Sequence, residues 1–309
     1  MQAAKIRIGT RGSPLALAQA RQVAVRLGAA HGLPPEQCEL VVIKTTGDRI
    51  TDRPLIEAGG KGLFTKELEE ALFAGDIDLA VHSMKDMPAI LPQGLVISAI
   101  LEREDPRDAF VSIKYRSLDA LPEGAVIGTS SPRRQAQVLR ARPDLRVVGF
   151  RGNVETRLRK LEEGAADATF LACAGLNRLG LAQHITAAMP SDVMLPAVAQ
   201  GAIGIEIRAD DDATALLLAP LNDAATALCI TAERAYLAKL EGSCRTPIAG
   251  FAELSGGSLH IRGEILTPNG VQAHTASRRG NPQEAVRLGE QTAEELLRHA
   301  GADFFRATA

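Results

Sequence analysis

Residues 125–134 read AVIGTSSPRR, and the same parts stand in the same order at residues 6–14, IRIGTRGSP. Each stretch is a short run rich in β-branched residues that stops at Gly-Thr and then reaches Ser-Pro. Val and Ile favour extended backbone, whereas Ser at an N-cap followed by Pro at the first helical position opens a helix. After Ser13-Pro14, Leu17, Ala20, Ala24 and Leu27 recur at helical spacing. The two copies differ by one residue between Gly-Thr and Ser-Pro. A strand–turn–helix unit met twice predicts two similar α/β lobes facing each other across a cleft.

Working outward, Val41–Ile43, Asp78–Val81, Leu145–Val148, Thr169–Leu171 and Ile203–Ile207 read as further strands, the second of them running into a polar turn from His82 to Pro88. Phe64, Leu68, Ala71 and Leu72 form one helical stripe, and Val154, Leu158 and Leu161 another. Charged residues 102–106 and the stretch 195–198 read as connectors. Leu221, Ala225, Leu228, Ala232 and Ala235 predict a strong amphipathic helix. The tail holds an alternating stretch at 259–263 and a last helix with Val286, Ala293 and Leu297 on one face, the pattern of a small α+β domain. The expected division is a first lobe of residues 1–101 with 202–219, a second of 107–195, and a C-terminal domain of 223–309.

Composition narrows the function. The chain has 309 residues, a formal net charge of -2, no Trp and two Tyr, which disfavours nucleic-acid binding. No apolar run reaches the roughly 20 residues of a membrane span, and the N-terminus meets charge and glycine before any run of signal-peptide length. Cys38, Cys173, Cys229 and Cys244 lie far apart without ligand spacing, so free thiols in a reducing cytoplasm are expected, and no metal.

Arg133 and Arg134 stand in the first turn of the helix that Ser131-Pro132 opens, where the macrodipole disfavours positive charge by roughly 0.3–1 kcal/mol each. Free N–H groups at a helix start already attract anions. Arg11 before Ser13-Pro14, and Arg151 with Arg157 around Asn153, repeat the feature. Surface ion pairs are the plain reading of any one arginine; three such helix starts point to an anionic ligand. The fork of a guanidinium suits carboxylate or phosphate, and since no GxxxxGK[ST] loop occurs, a multiply carboxylated small molecule is favoured over a nucleotide.

Asp86 follows a strand expected to be parallel, at the carboxyl end where α/β sheets bind ligands. An ionised Asp86 among arginines suits a developing cation or a ligand N–H; a turn Asp bonding its own backbone is the alternative. Cys244 lies in EGSCRTP (241–247), beside Arg245, which favours thiolate, although a lone loop cysteine also occurs without a role. Residues 46–62 read as a mobile lid or a surface loop.

Ten segments, IGTRGSPLALAQA, GGKGLFTKELE, DLAVHSMKDMP, EREDPRDAF, GTSSPRRQAQ, RGNVETRLRKL, AGLNRLGL, LPAVAQGAIGIE, TAERA and EGSCRTPI, together resemble the hydroxymethylbilane synthase, or porphobilinogen deaminase, family, in family order from residue 8 to about 248. The resemblance implies two lobes like those of periplasmic binding proteins and a third, smaller α+β domain. It implies a dipyrromethane cofactor bonded through a thioether to Cys244, onto which four porphobilinogen units are added head to tail with loss of ammonia before water releases hydroxymethylbilane. By carry-over Asp86 is catalytic, steadying the azafulvene cation. Lys85, Asp86, Ser131, Arg133 and Arg134 hold the cofactor, and Arg11, Ser13, Phe64, Arg151, Arg157 and Arg178 the substrate. Such a protein is expected to be a cytoplasmic monomer. Three positions depart from the family pattern: Ser243 and Ala199 where Gly is usual, and Glu57 at a lid position that is basic in some members. The rivals are a binding protein for a polycarboxylate and an enzyme with Cys244 as nucleophile.

Overall fold

The computed structural model describes residues 5–49, 62–240, 247–301 and 304. The chain divides into two compact units, one of residues 1–103 with 202–227 and one of 104–201 with 228–309.

In unit one, β1 (Ile6–Arg11), α1 (Pro14–His31), β2 (Cys38–Ile43), the single turn α2 (Thr46–Arg49), α3 (Lys66–Ala74), β3 (Leu79–Ser83) and β4 (Leu95–Ile100) precede the chain's return. Its sheet runs in the order β2, β1, β3, β10, β4, where β10 is Ile203–Arg208. β1 is parallel to β2 and β3, and β10 is antiparallel to β3 and β4. The helix α1 begins as its sequence demands, with the Ser13 Oγ accepting from the Ala16 N–H, and it stops at Gly32 in the left-handed region. Ala20, Val23 and Leu27 pack with Ile8, Leu79, Val81, Ile203 and Ile205 on one sheet face; Leu68 and Leu72 of α3 cover Ile77 and Ala80 on the other. A cap contributes about 1 kcal/mol and each fully buried Leu or Val about 1.5–3 kcal/mol, so packing more than capping keeps α1 in place. α7 (Asp212–Leu218) closes this unit's core.

Unit two opens with β5 (Asp108–Val111) and continues through β6 (Val126–Gly128), α4 (Pro132–Ala141), β7 (Arg146–Val148), α5 (Val154–Glu162), β8 (Ala168–Ala172), α6 (Cys173–Arg178) and the short β9 (Ala187–Ala188). The sheet order is β7, β6, β8, β5, β9. β6 is parallel to β7 and β8, and β5 is antiparallel to β8. Each sheet thus places the first strand of its own βαβαβ wrap between the second and the third, then adds one antiparallel strand and, beyond it, an edge strand, β4 or β9. In unit one that strand comes from late in the chain; in unit two it comes before the wrap. The Gly-Thr…Ser-Pro echo therefore marks equivalent corners, β1 to α1 and β6 to α4.

The same unit contains most of α8 (Ala224–Lys239), the antiparallel sheet of β11 (Ile248–Ser255), β12 (Ser258–Leu266) and β13 (Ala273–Gly280), and α9 (Ala285–Ala300). Tyr236 of α8 is fully buried, its hydroxyl donating to the Ala249 carbonyl at 3.0 Å; a Cβ at Gly263 would collide with its ring. Sequence and structure differ at several element edges. Phe64 stands ahead of α3 rather than on its stripe, and His82 and Ser83 belong to β3 rather than to a turn. On α9 the buried face is Ala285, Leu288, Thr292, Ala293 and Leu296, with Val286 half exposed; the pattern through Val286 and Leu297 lies about one residue out of phase, because Gly289, which packs against Ala232 and Tyr236 of α8, and the buried Thr292 carry no hydrophobic signal.

Ala199, at φ 60, is the non-glycine residue found in the left-handed region among the described residues. Its N–H donates to the buried carboxylate of Glu233, which also accepts from Ala252 at 2.7 Å. These bonds hold a conformation that costs an L-residue roughly 1–2 kcal/mol. Glycine would remove that cost and lose about 0.5–1 kcal/mol of chain entropy. Ala199→Gly is therefore expected to raise the unfolding free energy by about 0.5–1 kcal/mol, read from the urea midpoint at unchanged slope. A lower midpoint would show the strain to be absent.

Candidate functional site

Within each unit the expected site residues collect where parallel strands end. In unit one Arg11 is the last residue of β1 and Ser13 caps α1, while Lys85 and Asp86 lie in the single 3-10 turn after β3. Phe64 lies between β2 and α3. In unit two Ser131 caps α4, with Arg133 and Arg134 in its first turn. Arg151 precedes α5, Arg157 lies in it, and Arg178 ends α6 after β8. Strand ends gather loops and free N–H groups at one edge of a sheet, which is why α/β folds bind ligands there.

In unit one, Arg11, Ser13, Gln19, Phe64, His82 and Asp86 line one small pocket of about 50 Å³, together with Thr65 and Ser83. Asp86 is exposed in it. The Arg11 Nε donates to Asp48 Oδ2 at 3.2 Å and its Nη2 to the other oxygen, and the guanidinium carbon lies 4.1 Å from the centre of the Phe64 ring. Burial works to raise the Asp48 carboxyl, but hydrogen bonds and charge from Arg11, with a bond from Thr45, outweigh it and hold the group below its ordinary value. Gly47 lets this assembly close, since a Cβ there would collide with the Phe64 ring. Gln19 and Ser83 hydrogen-bond side chain to side chain at 2.9 Å. Ser13 spends one lone pair on the cap, leaving its hydroxyl proton for another acceptor.

In unit two, Arg133 and Arg134 are only 4% and 5% exposed and turn onto Asp108, which is fully buried. Arg133 Nη1 lies 2.8 Å from Asp108 Oδ2; Arg134 donates to Oδ1 through Nε at 2.9 Å and Nη2 at 2.6 Å, and to the Phe170 carbonyl at 2.7 Å. Gln200 adds a bond to Oδ1 at 3.1 Å. Burial pushes Asp108 upward, yet the two guanidinium charges prevail and hold it far below the carboxylate range. The carboxylate that meets these arginines at the helix start is thus the protein's own. That corrects the expectation of a ligand anion as the sole reason for two cations in that turn. Asn153 caps α5 by accepting from the Thr156 N–H at 2.8 Å. Arg157 donates to the Gly152 carbonyl at 2.9 Å and Arg178 to that of Gly201 at 2.7 Å, so backbone acceptors orient both.

Cys244 and Glu57 lie outside the described residues, as does most of the expected lid. Asp48, Gln19, Ser83, Asp108 and Glu206 were not singled out from sequence. Asp48 was absorbed in an aperiodic stretch, and Gln19 sits at a buried position of α1 where only its polarity gave a signal. Asp108 heads the apolar run Ala109-Phe110-Val111, and a charge opening a buried strand is the mark that could have found it.

Residues 6–216 match the family described as "Porphobilinogen deaminase, dipyromethane cofactor binding domain", and residues 227–298 match "Porphobilinogen deaminase, C-terminal domain". Curated relatives include a porphobilinogen deaminase of Paracoccus denitrificans, 60% identical over 300 residues that cover 97% of this chain and 96% of that one. One of Nitrobacter hamburgensis is 54% identical over 298 residues, 96% and 94% of the two chains. Among solved structures, a nutrient binding protein from Burkholderia cenocepacia bound to methionine superposes with a TM-score of 0.43 at 17% identity, covering 69% of this chain and 90% of that one.

Proposed function

The chain belongs to the porphobilinogen deaminase family, and from that premise we propose how its own residues carry the activity. The family's enzymes are transferases that take porphobilinogen as substrate and join four units of it head to tail on a dipyrromethane, losing ammonia each time, before water frees hydroxymethylbilane.

A dipyrromethane is a pair of flat rings with acidic side arms and N–H donors. It needs guanidinium groups for the arms, a flat apolar face and an acceptor for the N–H groups. The unit-one pocket offers Arg11, Phe64 and Asp86 for these three needs, with Ser13 as a further donor. In unit two, Arg133 and Arg134 set two positive charges against the single charge of Asp108, so the cluster stays net positive toward a further carboxylate. The donor set suits the group. When bound through Cys244, the dipyrromethane supplies the free pyrrole carbon on which the chain grows.

Asp86 holds the pyrrole N–H groups and opposes the positive charge left on the incoming unit as ammonia departs. A fixed charge beside a developing charge needs no reorganisation at the moment of reaction. Arg11, clamped by Asp48 against Phe64, presents its remaining N–H groups to substrate carboxylates in a set orientation. Arg151, Arg157 and Arg178 take other arms, and Lys85 and Ser131 assist with the cofactor. Tethering makes each addition intramolecular. We further propose three domains, the third carrying Cys244, in a monomeric cytoplasmic protein; the free thiols of Cys38, Cys173 and Cys229 suit a reducing compartment. Among the described residues no single helix is long and apolar enough to cross a membrane.

The observation that carries this reading is the meeting of Asp86, Arg11 and Phe64 in one pocket. Its test is the intact mass. The purified protein is expected to exceed its sequence mass by two linked pyrrole units, and Cys244→Ser to remove the excess. A mass equal to the sequence would favour a polycarboxylate-binding protein.

A further inference from the structure

On the α3 face of the unit-one sheet lies a set of buried ionisable groups that the function above does not use. His82 of β3 and Glu206 of β10 meet with Nε2 and Oε2 3.0 Å apart, their side chains 4% and 0% exposed. The register makes this pairing, since His82 opposes Gly204 and Glu206 opposes Ala80, diagonal positions on one face. Glu69 of α3 is buried with them; burial raises its carboxyl, a bond from Thr65 works against that, the charge of Glu206 adds to the rise, and His82 acts the other way. Glu206 Oε1 makes no hydrogen bond within the described residues, and the Thr65 hydroxyl is set against Glu69. His82 and Thr65 also line the pocket of Arg11, Ser13, Phe64 and Asp86. The charged groups around the imidazole are thus Glu206 from β10, Glu69 from α3, and, at the pocket, Asp86 from the turn after β3 and Arg11 from β1.

A buried carboxylate costs several kcal/mol, and an apolar pair would brace β3 to β10 at lower cost. A carboxylate behind an imidazole has a chemical use: it orients the ring and stabilises the imidazolium formed when the ring takes a proton. The condensation contains such a proton. The C–N bond of the aminomethyl group, protonated as its ammonium form at neutral pH, breaks with its electron pair leaving on ammonia. A C–C bond then forms from the unsubstituted α-carbon of the receiving pyrrole, and the hydrogen on that carbon must leave as a proton for the ring to regain aromaticity. An Asp86 that took this proton would lose the charge the next addition needs.

We propose that His82, backed by Glu206 with Glu69 behind, is the acceptor of this proton. The imidazole lone pair takes it, the C–H electron pair returns to the ring, and the departing ammonia removes it as ammonium, which resets His82 without any further reactant. The inference rests on the reading of the Asp86 pocket as the place of condensation.

Glu206→Gln keeps a hydrogen-bonding group against His82 and removes the charge. With porphobilinogen deuterated at its unsubstituted α-carbon, the pyrrole-loaded variant is expected to show kcat about 100-fold below the parent, little change in KM, and a primary isotope effect on kcat larger than the parent's, because C–H cleavage has become limiting. In cofactor-free Cys244→Ser protein, the ¹⁵N-histidine spectrum should show one imidazole N–H protected from exchange, lost when Glu206→Gln is added. His82→Gln, which retains a donor toward Glu206, must give the same isotope effect if Glu206→Gln folds poorly. No enlarged isotope effect in either variant, whether kcat falls or not, overturns the inference and leaves the pair a brace between strands. A parent protein lacking the pyrrole mass would instead sink the function proposed above.

Discussion

Asp86→Ala is expected to fold as the parent does and to lose turnover by about 10³-fold, the scale on which removal of one preorganised charge-stabilising group acts. The side chain is exposed at the end of a 3-10 turn that the Met87 N–H closes onto the Met84 carbonyl. That backbone bond survives truncation, so the effect on stability stays small. Asp86→Glu, which keeps the charge about one bond length further out, separates charge from geometry: it should retain more turnover than Asp86→Ala at a similar unfolding midpoint. Steady-state kinetics on protein checked by circular dichroism decide the matter. Turnover in Asp86→Ala within a few-fold of the parent would remove Asp86 from the chemistry.

Asp108→Asn is expected to destabilise unit two by about 3–5 kcal/mol, because two guanidinium groups remain buried without their counter-charge. Among the described residues Asp108 is the acid that Arg133 and Arg134 share, so the variant leaves two like charges close together rather than one unpaired. The pH dependence follows from the same contacts. Asp108 is held below its unfolded value in the folded protein, so its contribution is fully present above the unfolded carboxyl pKa of about 3.9 and is lost as pH falls below that toward the folded value. The parent's denaturant midpoint should therefore decline steeply on acidification below about pH 4, with a shallower decline in Asp108→Asn. Equal midpoints for parent and variant at neutral pH would mean that the charges are satisfied elsewhere.

These two aspartates show how far short-range spacing locates a residue and where it stops. The place of Asp86 was legible because it is local: Met84-Lys85-Asp86 follows β3, and a residue just past a strand's carboxyl end lies at the ligand edge whatever the rest of the fold does. The same holds for the caps at Ser13, Ser131 and Asn153, whose partners lie three residues away. Asp108 was not legible as the partner of Arg133 and Arg134. It lies 25 residues before the first of them and reaches it only because β5 is inserted antiparallel beside β8. His82 and Glu206 are 124 residues apart and meet for the same reason, through β10, which is inserted antiparallel between β3 and β4 of the other sheet.

From sequence alone came the lobes, their repeated strand–turn–helix corner, the residues at the strand ends and the family, because each depends on short-range spacing or on an ordered set of motifs. The tertiary structure decided which carboxylate neutralises which arginine, which polar groups are buried, and that Ala199 is held with positive φ by Glu233. Those are consequences of where a returning strand inserts into a sheet. Hydrophobic patterning specifies that a strand is buried on both faces, but the identity of its neighbours is set by the closure of the whole chain.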